Sequence, residues 1–382
     1  PGREMLVPTP TFGMIPRYAK LVGADIRTVA WDQGKFPLET MLANIRPETG
    51  LITLVTPNSP TGLTLSPEDL EAISKAAPST VILVDLAYIE FADLDLTKYA
   101  LALPNVVITR TFSKAWGMAG LRVGWAAGPK DVIDWMKVAG HPYAVSSISL
   151  QAALKRLRQG ETEMRAFVRA VRKQRILLAG YLEKLGVVSL PSQGNFLLAT
   201  FDDALWMRQA LAGLGIKVRA FPGKPNLENR LRITLPGRED HFKRLIDAVH
   251  TILAPKRLIF SVSAVTASVG SCAEIQEALE GIRSKIEVRF LIHSDSDRSR
   301  LAESGLGWCL EGEIFDEMGV DLDRRLDELD NGRTWLVTAN ESEVQAARRV
   351  GVLPLAFTSD EERGEGLVRL GAARVIPTIG VI

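Results

Sequence analysis

From residue 4 to residue 126 the chain repeats one pattern: a short, almost continuously apolar run, then a longer stretch whose apolar residues recur at helical spacing. The runs at 25–29, 51–56, 81–85, 106–110 and 123–126 predict strands covered on both faces, because a strand with one wet face alternates apolar and polar residues instead. Met5-Leu6-Val7-Pro8 reads as a further strand already under way at the start of the chain. Residues 67–75 carry the helical period, with Ser66 in the N-cap position. This alternation predicts an α/β domain built on a mainly parallel sheet.

The pattern changes after residue 150. Residues 161–185 predict one long helix, ended by Gly186 as its cap. Strands at 195–200, 218–221 and 231–235 and helices at 203–214 and 239–253 predict a smaller α+β unit, and residues 254–257 read as a linker. Beyond it the βα alternation returns: strands at 258–262, 288–293, 335–338 and 352–357, helices at 272–282 and 342–350. We therefore expect three domains, 1–150, 151–254 and 257–382. Charge divides at the same place. Residues 1–255 hold 31 Lys and Arg against 23 Asp and Glu, whereas 256–382 hold 15 against 22. With 382 residues, 46% of them hydrophobic, the chain has ample material for buried cores, which excludes a disordered or fibrous protein.

The segment that carries most chemistry is Thr111-Phe112-Ser113-Lys114-Ala115-Trp116-Gly117-Met118-Ala119-Gly120-Leu121-Arg122-Val123-Gly124, between two predicted strands. A lysine among hydroxyls and glycines, with an arginine eight residues on, suits an aldehyde cofactor that carries a phosphate. The amine can form a Schiff base, and the hydroxyls and guanidinium can hold the phosphate. Spacing alone fits a basic surface loop equally well. Thr56-Pro57-Asn58-Ser59-Pro60-Thr61-Gly62 follows a buried strand at the edge where open α/β sheets bind ligands, although Pro and Gly also make it a good turn. Val84-Asp85-Leu86-Ala87-Tyr88 ends the next strand. A buried Asp there is costly unless paired, and a protonated pyridine nitrogen would pair it; a strand-end cap is the plainer explanation.

Together these segments resemble the fold-type I pyridoxal-phosphate aminotransferases, and among them the histidinol-phosphate aminotransferases, over residues 1 to about 254. The resemblance implies a large cofactor-binding domain with a mainly parallel sheet, a small α+β domain, and pyridoxal 5'-phosphate as cofactor. It makes Lys114 the Schiff-base lysine and proton carrier and sets Asp85 against the ring nitrogen. Asn58 and Tyr88 then bind the ring hydroxyl, Thr111, Ser113 and Arg122 the phosphate. Phe12, in Pro10-Thr11-Phe12-Gly13, takes the ring-stacking position. Arg232, in Leu231-Arg232-Ile233-Thr234, matches the arginine that binds the substrate's anionic group, with Asn195 bordering the same pocket. A guanidinium fork suits a carboxylate or phosphate; taken alone, Arg232 reads as a solvated strand-end charge. Ala144 stands where the family often has asparagine. The implied reaction is transamination between a small-molecule amino donor and a 2-oxo acid, in a homodimer. An amino-acid phosphate decarboxylase on the same fold, or a non-catalytic interaction module, is the alternative. The family also has an N-terminal arm, a first strand and a phosphate-binding helix start ahead of the position of Pro1, so the chain is expected to lack its N-terminal part.

The C-terminal segment resembles a haloacid dehalogenase-like phosphatase, a Rossmann-like domain. Ser261 and Ser263, in Leu258-Ile259-Phe260-Ser261-Val262-Ser263, stand where that superfamily has two aspartates. Ala339 replaces a metal-side aspartate, and no lysine follows Lys285. Ser294 alone keeps a phosphate-contacting position. A hydroxyl cannot replace a carboxylate toward Mg²⁺, so residues 257–382 are expected to be catalytically inactive; an unrelated Rossmann-like module is the rival, without a Gly-rich dinucleotide fingerprint to support it. Elsewhere, His141, His241, His250 and His293 lack metal-ligand spacing. Cys272 and Cys309 cannot make a disulfide framework, which fits a reducing, cytoplasmic compartment. No apolar run approaches the roughly 18 residues a membrane span needs. The net charge of +1 gives no footprint for nucleic acid, and the acidic stretch 316–330 reads as a solvated face.

Overall fold

Strand β1 (Glu4–Thr9) shows how the first sheet is covered. Leu6 packs into a cluster with Trp31, Met41, Ile52, Ile82 and Ile108 on one face, while Met5 and Val7 meet Ala19 on the other. Alternate residues thus enter two cores, which is what a continuous apolar run encodes. The structure is a computed structural model that describes residues 4–266, 272–303, 313–315, 322–329 and 333–377. The chain divides into two compact units, one formed by residues 1–200 and 232–239 and the other by 201–231 and 240–382.

In the first unit β1 is followed by α1 (Met14–Leu21), β2 (Asp25–Ala30), α2 (Leu38–Ala43), β3 (Thr49–Val55), α3 (Pro67–Ala76), β4 (Val81–Asp85), α4 (Thr97–Leu101), β5 (Val106–Thr111) and β6 (Gly124–Ala127). Six strands form one sheet in the order β2-β1-β3-β4-β5-β6. All neighbours are parallel except β6, which runs antiparallel to β5. The register sets Val55 beside Asp85 and Asp85 beside Thr109, so the carboxyl ends of β3, β4 and β5 lie level. Ser66 caps α3 in a reciprocal box with Asp69.

Helices α5 (Lys130–Ala139), α6 (Ser147–Gln159) and α7 (Glu161–Lys184) follow, then β7 (Val188–Ser189) and β8 (Phe196–Thr200), an antiparallel pair. Gly186 takes a left-handed conformation (φ 76°) just past the end of α7, which stops the helix where the glycine predicts. Helices α5 and α6, which the sequence reading leaves unassigned, carry large apolar residues on their outer faces: Trp135, Val138 and Ile148 are 65%, 88% and 78% exposed. Helices α1, α2 and α4 are too short to show a period.

The second unit begins with α8 (Ala204–Gly213) and β9 (Arg219–Ala220). Strand β10 (Arg230–Thr234) starts in it and ends in the first unit, and α9 (Glu239–Leu253) starts in the first unit and runs on into it. Then come β11 (Arg257–Ser261), α10 (Val262–Thr266), α11 (Cys272–Arg283), β12 (Glu287–Ile292), α12 (Asp295–Glu303), β13 (Glu313–Phe315), α13 (Leu322–Leu329), β14 (Thr334–Thr338), α14 (Glu341–Val350), β15 (Leu353–Phe357), α15 (Glu361–Leu370) and β16 (Val375–Ile376). The sheet is parallel throughout, in the order β13-β12-β11-β14-β15-β16. Its strand order reverses between β11 and β14, the switch point of doubly wound sheets.

Two expectations change here. Residues 254–257 make a shorter linker than expected, because β11 begins at Arg257 and the Lys256 amide already donates to Arg333 O at 2.9 Å. The strand expected at 258–262 ends at Ser261, and Val262 opens α10. Asp323, in the acidic stretch, pairs with Arg349. The side chains of Ser263 and Cys272, and residues 309, 316–321 and 330, lie outside the described set.

The first unit depends on one close approach. Gly62 has φ 80°, and a Cβ placed there would lie 2.2 Å from Ser192 Oγ and 2.9 Å from Ser192 Cα. Gly62→Ala adds a left-handed strain and a backbone overlap, and is expected to cost about 2–4 kcal/mol. Urea unfolding of the variant against the parent measures it; an unchanged midpoint would show that the contact yields.

Candidate active site

The site is built at the carboxyl ends of β3, β4 and β5. Asp85 is the last residue of β4. Its Oδ1 accepts the Ala87 amide at 2.9 Å, and the Thr109 hydroxyl from the adjacent strand also donates to it. Burial pushes its carboxyl above the usual range, against the lowering effects of the Ala87 amide, the Lys114 charge and Thr109. The position therefore holds a carboxyl whose negative form lacks a full counter-charge.

Tyr88, 7% exposed, stands at the end of the same segment. The Lys114 Nζ lies 5.0 Å from its ring centroid, and Phe196 meets it edge-to-face at 5.1 Å. Lys114 is half-buried and makes no ion pair among the described residues, so its amine is uncommitted. The Arg232 guanidinium also meets Phe196, 5.0 Å from its ring centroid, and donates through Nη1 to Ser59 Oγ at 2.7 Å. Arg232 Nε is buried without a partner. A buried, unsatisfied donor on a guanidinium is the mark of a site that takes an anion.

Asn58 is 2% exposed and ties the turn together. Its amide donates to Pro10 O and to Thr61 Oγ1, both at 2.9 Å. Both amide hydrogens are thereby committed, which leaves Oδ1 to accept from a ring hydroxyl. The bond to Pro10 also brings the segment bearing Phe12 to the site; Phe12 itself is 48% exposed and has no ring partner among the described residues. Thr111 Oγ1 lies 2.9 Å from Ser113 Oγ and accepts the Ser113 amide at 3.0 Å, so the two hydroxyls face one another across a short loop. Arg122 is not drawn to them. It is exposed, takes a left-handed backbone (φ 54°), and donates to Ala119 O at 2.8 Å. The Asn195 carbonyl accepts the Leu235 amide at 2.9 Å, which fixes it beside the end of β10.

Lys114, Asp85, Tyr88, Asn58, Asn195 and Arg232 are thus brought together, Thr111 and Ser113 form a hydroxyl pair on the Lys114 loop, and Phe12 and Arg122 stand apart from direct contact. The residues fit pyridoxal phosphate on three counts: a free amine, a buried carboxyl short of a cation, and an orphaned guanidinium donor. Sequence reasoning missed Thr109, Thr61 and Phe196. Thr109 becomes visible only through the register of β4 against β5, which no local pattern reveals, while Phe196 reads as ordinary strand core.

A second polar cluster lies in the other unit, at the carboxyl ends of β11 and β14. The Glu343 side chain, 1% exposed, accepts the Ser261 hydroxyl at 3.0 Å, lies 2.6 Å from His293 Nε2, and accepts the Thr338 hydroxyl. Among the described residues no group of three or more His, Cys, Asp or Glu side chains could hold a metal. No helix is long and apolar enough to cross a membrane, among the described residues.

Residues 1–249 match the model of the aminotransferase class I and II family. The chain is 34% identical to a histidinol-phosphate aminotransferase of Caldanaerobacter subterraneus subsp. tengcongensis over 256 residues, covering 66% of this chain and 72% of that one. It is 34% identical to the Paracoccus denitrificans protein of the same name over 261 residues, covering 67% and 70%. Among solved structures, a putative histidinol-phosphate aminotransferase from Erwinia carotovora atroseptica superposes with TM-score 0.60 at 27% identity, covering 65% of this chain and 73% of that one. Histidinol-phosphate aminotransferase from Sinorhizobium meliloti, in complex with pyridoxal-5'-phosphate, superposes with TM-score 0.59 at 25% identity, covering 66% and 71%.

The raised Asp85 carboxyl carries a measurable consequence. The folded cofactor-free protein holds that proton more tightly than the unfolded chain, so the contribution of Asp85 to stability falls as pH rises from the ordinary carboxylate range through the raised value. Asp85→Asn is expected to abolish this slope and to be the more stable protein above that window. Urea titrations across pH decide it; an identical slope in the variant would contradict the assignment.

Proposed function

This chain belongs to the aminotransferase class I and II family, and we propose that it transfers the amino group of histidinol phosphate, or of a closely related amino phosphate or amino acid, to 2-oxoglutarate. It is a pyridoxal-phosphate-dependent aminotransferase. The observation that carries the substrate reading is Arg232: a guanidinium with a buried, unsatisfied Nε, bonded to Ser59 of the Asn58 turn and packed on Phe196, which also meets Tyr88.

The bound cofactor supplies a ring that withdraws electrons from the substrate carbon. Each residue then has a task. Lys114 Nζ anchors the cofactor's aldehyde carbon and moves the proton at the substrate carbon. Asp85 holds a proton on the ring nitrogen, an exchange that relieves its own buried charge. Tyr88 and Asn58 bind the ring hydroxyl. Thr111, Ser113 and Arg122 bind the phosphate, which requires Arg122 to leave Ala119 O. Phe12 covers the ring. Arg232 grips the substrate's anionic group, with Asn195 at the pocket's rim.

Residues 1–150 and 151–254 are proposed as the large and small aminotransferase domains, working as a cytoplasmic homodimer. Residues 257–382 are proposed as a catalytically inactive haloacid dehalogenase-like domain. Its strand order supports this, as does Glu343, which takes the hydroxyls of Ser261 and Thr338 that a phosphate ligand would otherwise use. Glu343→Gln is expected to leave transamination intact, and neither form should hydrolyse p-nitrophenyl phosphate. Hydrolysis that disappears with Glu343→Gln would show a working phosphatase.

Lys114→Ala is expected to lose the visible absorbance of bound cofactor and about 10²–10⁴-fold in turnover; a variant that keeps the band would sink the lysine assignment. Arg232→Lys keeps the charge and loses the fork, and should raise the donor KM roughly tenfold to hundredfold at little change in absorbance. The donor panel must include histidinol phosphate. Release of CO₂ without a 2-oxo product would replace the transaminase reading with decarboxylation.

A further inference from the structure

Two arginines on α7 have no part in the chemistry above, yet they reach the loops that frame it. Arg175 is 8% exposed. Its Nη1 donates to Gly194 O at 2.9 Å and to Phe91 O at 3.3 Å. Gly194 precedes Asn195 and Phe196; Phe91 closes the short turn that starts from Tyr88. One guanidinium thus joins the segment that carries Tyr88 to the segment that carries Asn195. No carboxylate pairs with it among the described residues, and burial is the chief effect pressing on its charge, with the Arg172 charge acting the same way and Asp93 countering it. A buried cation that spends its donors on two loop carbonyls is costly to keep. Stability alone does not call for it, because an apolar side chain could fill the same space.

The surrounding bonds show what the cation fixes. Arg172 donates to Phe91 O at 3.2 Å and to Ala92 O. Gln193 and Asp93 bond reciprocally, Asp93 N to Gln193 Oε1 at 2.9 Å and Gln193 Nε2 to Asp93 Oδ2 at 2.8 Å. The Gln193 amide donates to Gly62 O at 2.8 Å, which ties in the Asn58 turn. Arg175 alone in this set reaches both loops from outside them. Gly194 has no Cβ, and one placed there would sit 2.9 Å from the Phe196 ring. Holding Gly194 O therefore constrains the Phe196 ring, and that ring contacts both Tyr88 and Arg232.

We propose that Arg175 is a positioning residue for substrate recognition: by clamping Phe91 and Gly194 it sets the span between the Lys114–Tyr88 wall and the Arg232 fork. The proposal rests on the functional reading given above. It deepens that reading by placing the control of anion affinity in a residue that touches neither substrate nor cofactor.

The test compares Arg175→Met and Arg175→Lys with Val171→Ala, a fully buried residue one turn earlier on the same helix, whose apolar side chain packs near Gly237 and bonds neither loop. Arg175→Met is expected to keep the cofactor absorbance and kcat within about threefold while raising the donor KM about tenfold, the signature of lost uniform binding. Arg175→Lys, a point charge that cannot bridge two carbonyls as the fork does, should fall between. Val171→Ala should lower Tm and leave KM unchanged. Amide hydrogen exchange at residues 193–196 should accelerate in Arg175→Met and not in Val171→Ala, whatever reaction the protein performs. A KM within twofold of the parent in both Arg175 variants overturns the proposal, as does a KM that rises equally in Val171→Ala. If Arg175→Met does not fold, the lysine variant decides by the same criteria. If the parent turns over no donor, the functional reading fails on its own, and unchanged exchange at 193–196 would then overturn the clamp separately.

Discussion

A carboxyl group at the end of a buried parallel strand governs the first unit. Asp85 cannot move away from its position, because its strand is locked between β3 and β5 by register. Its charged form is disfavoured by burial and only partly restored by one amide, one hydroxyl and the charge of Lys114. A fold that keeps such a group has left a place for a cation. The elements around it follow from that choice. The turn after β3 brings Asn58 to the same edge, the loop after β5 brings Lys114, and the segment beyond Asp85 bends into a short turn that sets Tyr88 beneath the lysine.

The substrate side depends on long-range contacts of a different kind. Arg232 comes from a strand near the end of the first unit's sequence, 173 residues from its partner Ser59. Phe196 contacts both Arg232 and Tyr88, so one aromatic ring links the substrate side to the cofactor side. Gly62 and Gly194 permit this: each lets backbone or ring approach to a distance that a Cβ would forbid. Precision at the site thus comes less from the residues that touch ligand than from the places where no side chain intervenes.

What the sequence reveals follows the range of the interaction. The strands, the Ser66 cap and the Gly186 stop are local and legible, but β2 and β6, expected to be covered on both faces, are the partly exposed edges of the sheet. The Lys114 loop, the Asn58 turn and Asp85 are legible as motifs in order along the chain. Their partners are not. Thr109 meets Asp85 through strand register, Thr61 captures one Asn58 hydrogen, and Arg175 reaches Phe91 and Gly194 across 84 and 19 residues. Helices α5 and α6 carry large apolar residues on their outer faces, and an apolar stripe in the sequence does not say whether anything covers it. In Arg122 the motif is present, while the side chain is spent on its own loop.

The two parallel sheets of this chain end in carboxyl groups treated in opposite ways. At the first edge Asp85 is under-supplied, an amine stands uncommitted nearby, and a guanidinium keeps a donor unpaired. At the second, Ser261, Thr338 and His293 converge on Glu343, and the hydroxyls at the two strand ends beside the switch point are consumed within the protein. The sequence at the second edge shows hydroxyls at the ends of β11 and β14 and no carboxylate among them. The structure supplies a carboxylate after all, from the first turn of α14 rather than from a strand end, and surrounds it with donors. A polar group binds a ligand through what its own fold leaves unsatisfied. By that criterion the first edge is open to chemistry, and the second has been turned into part of the core.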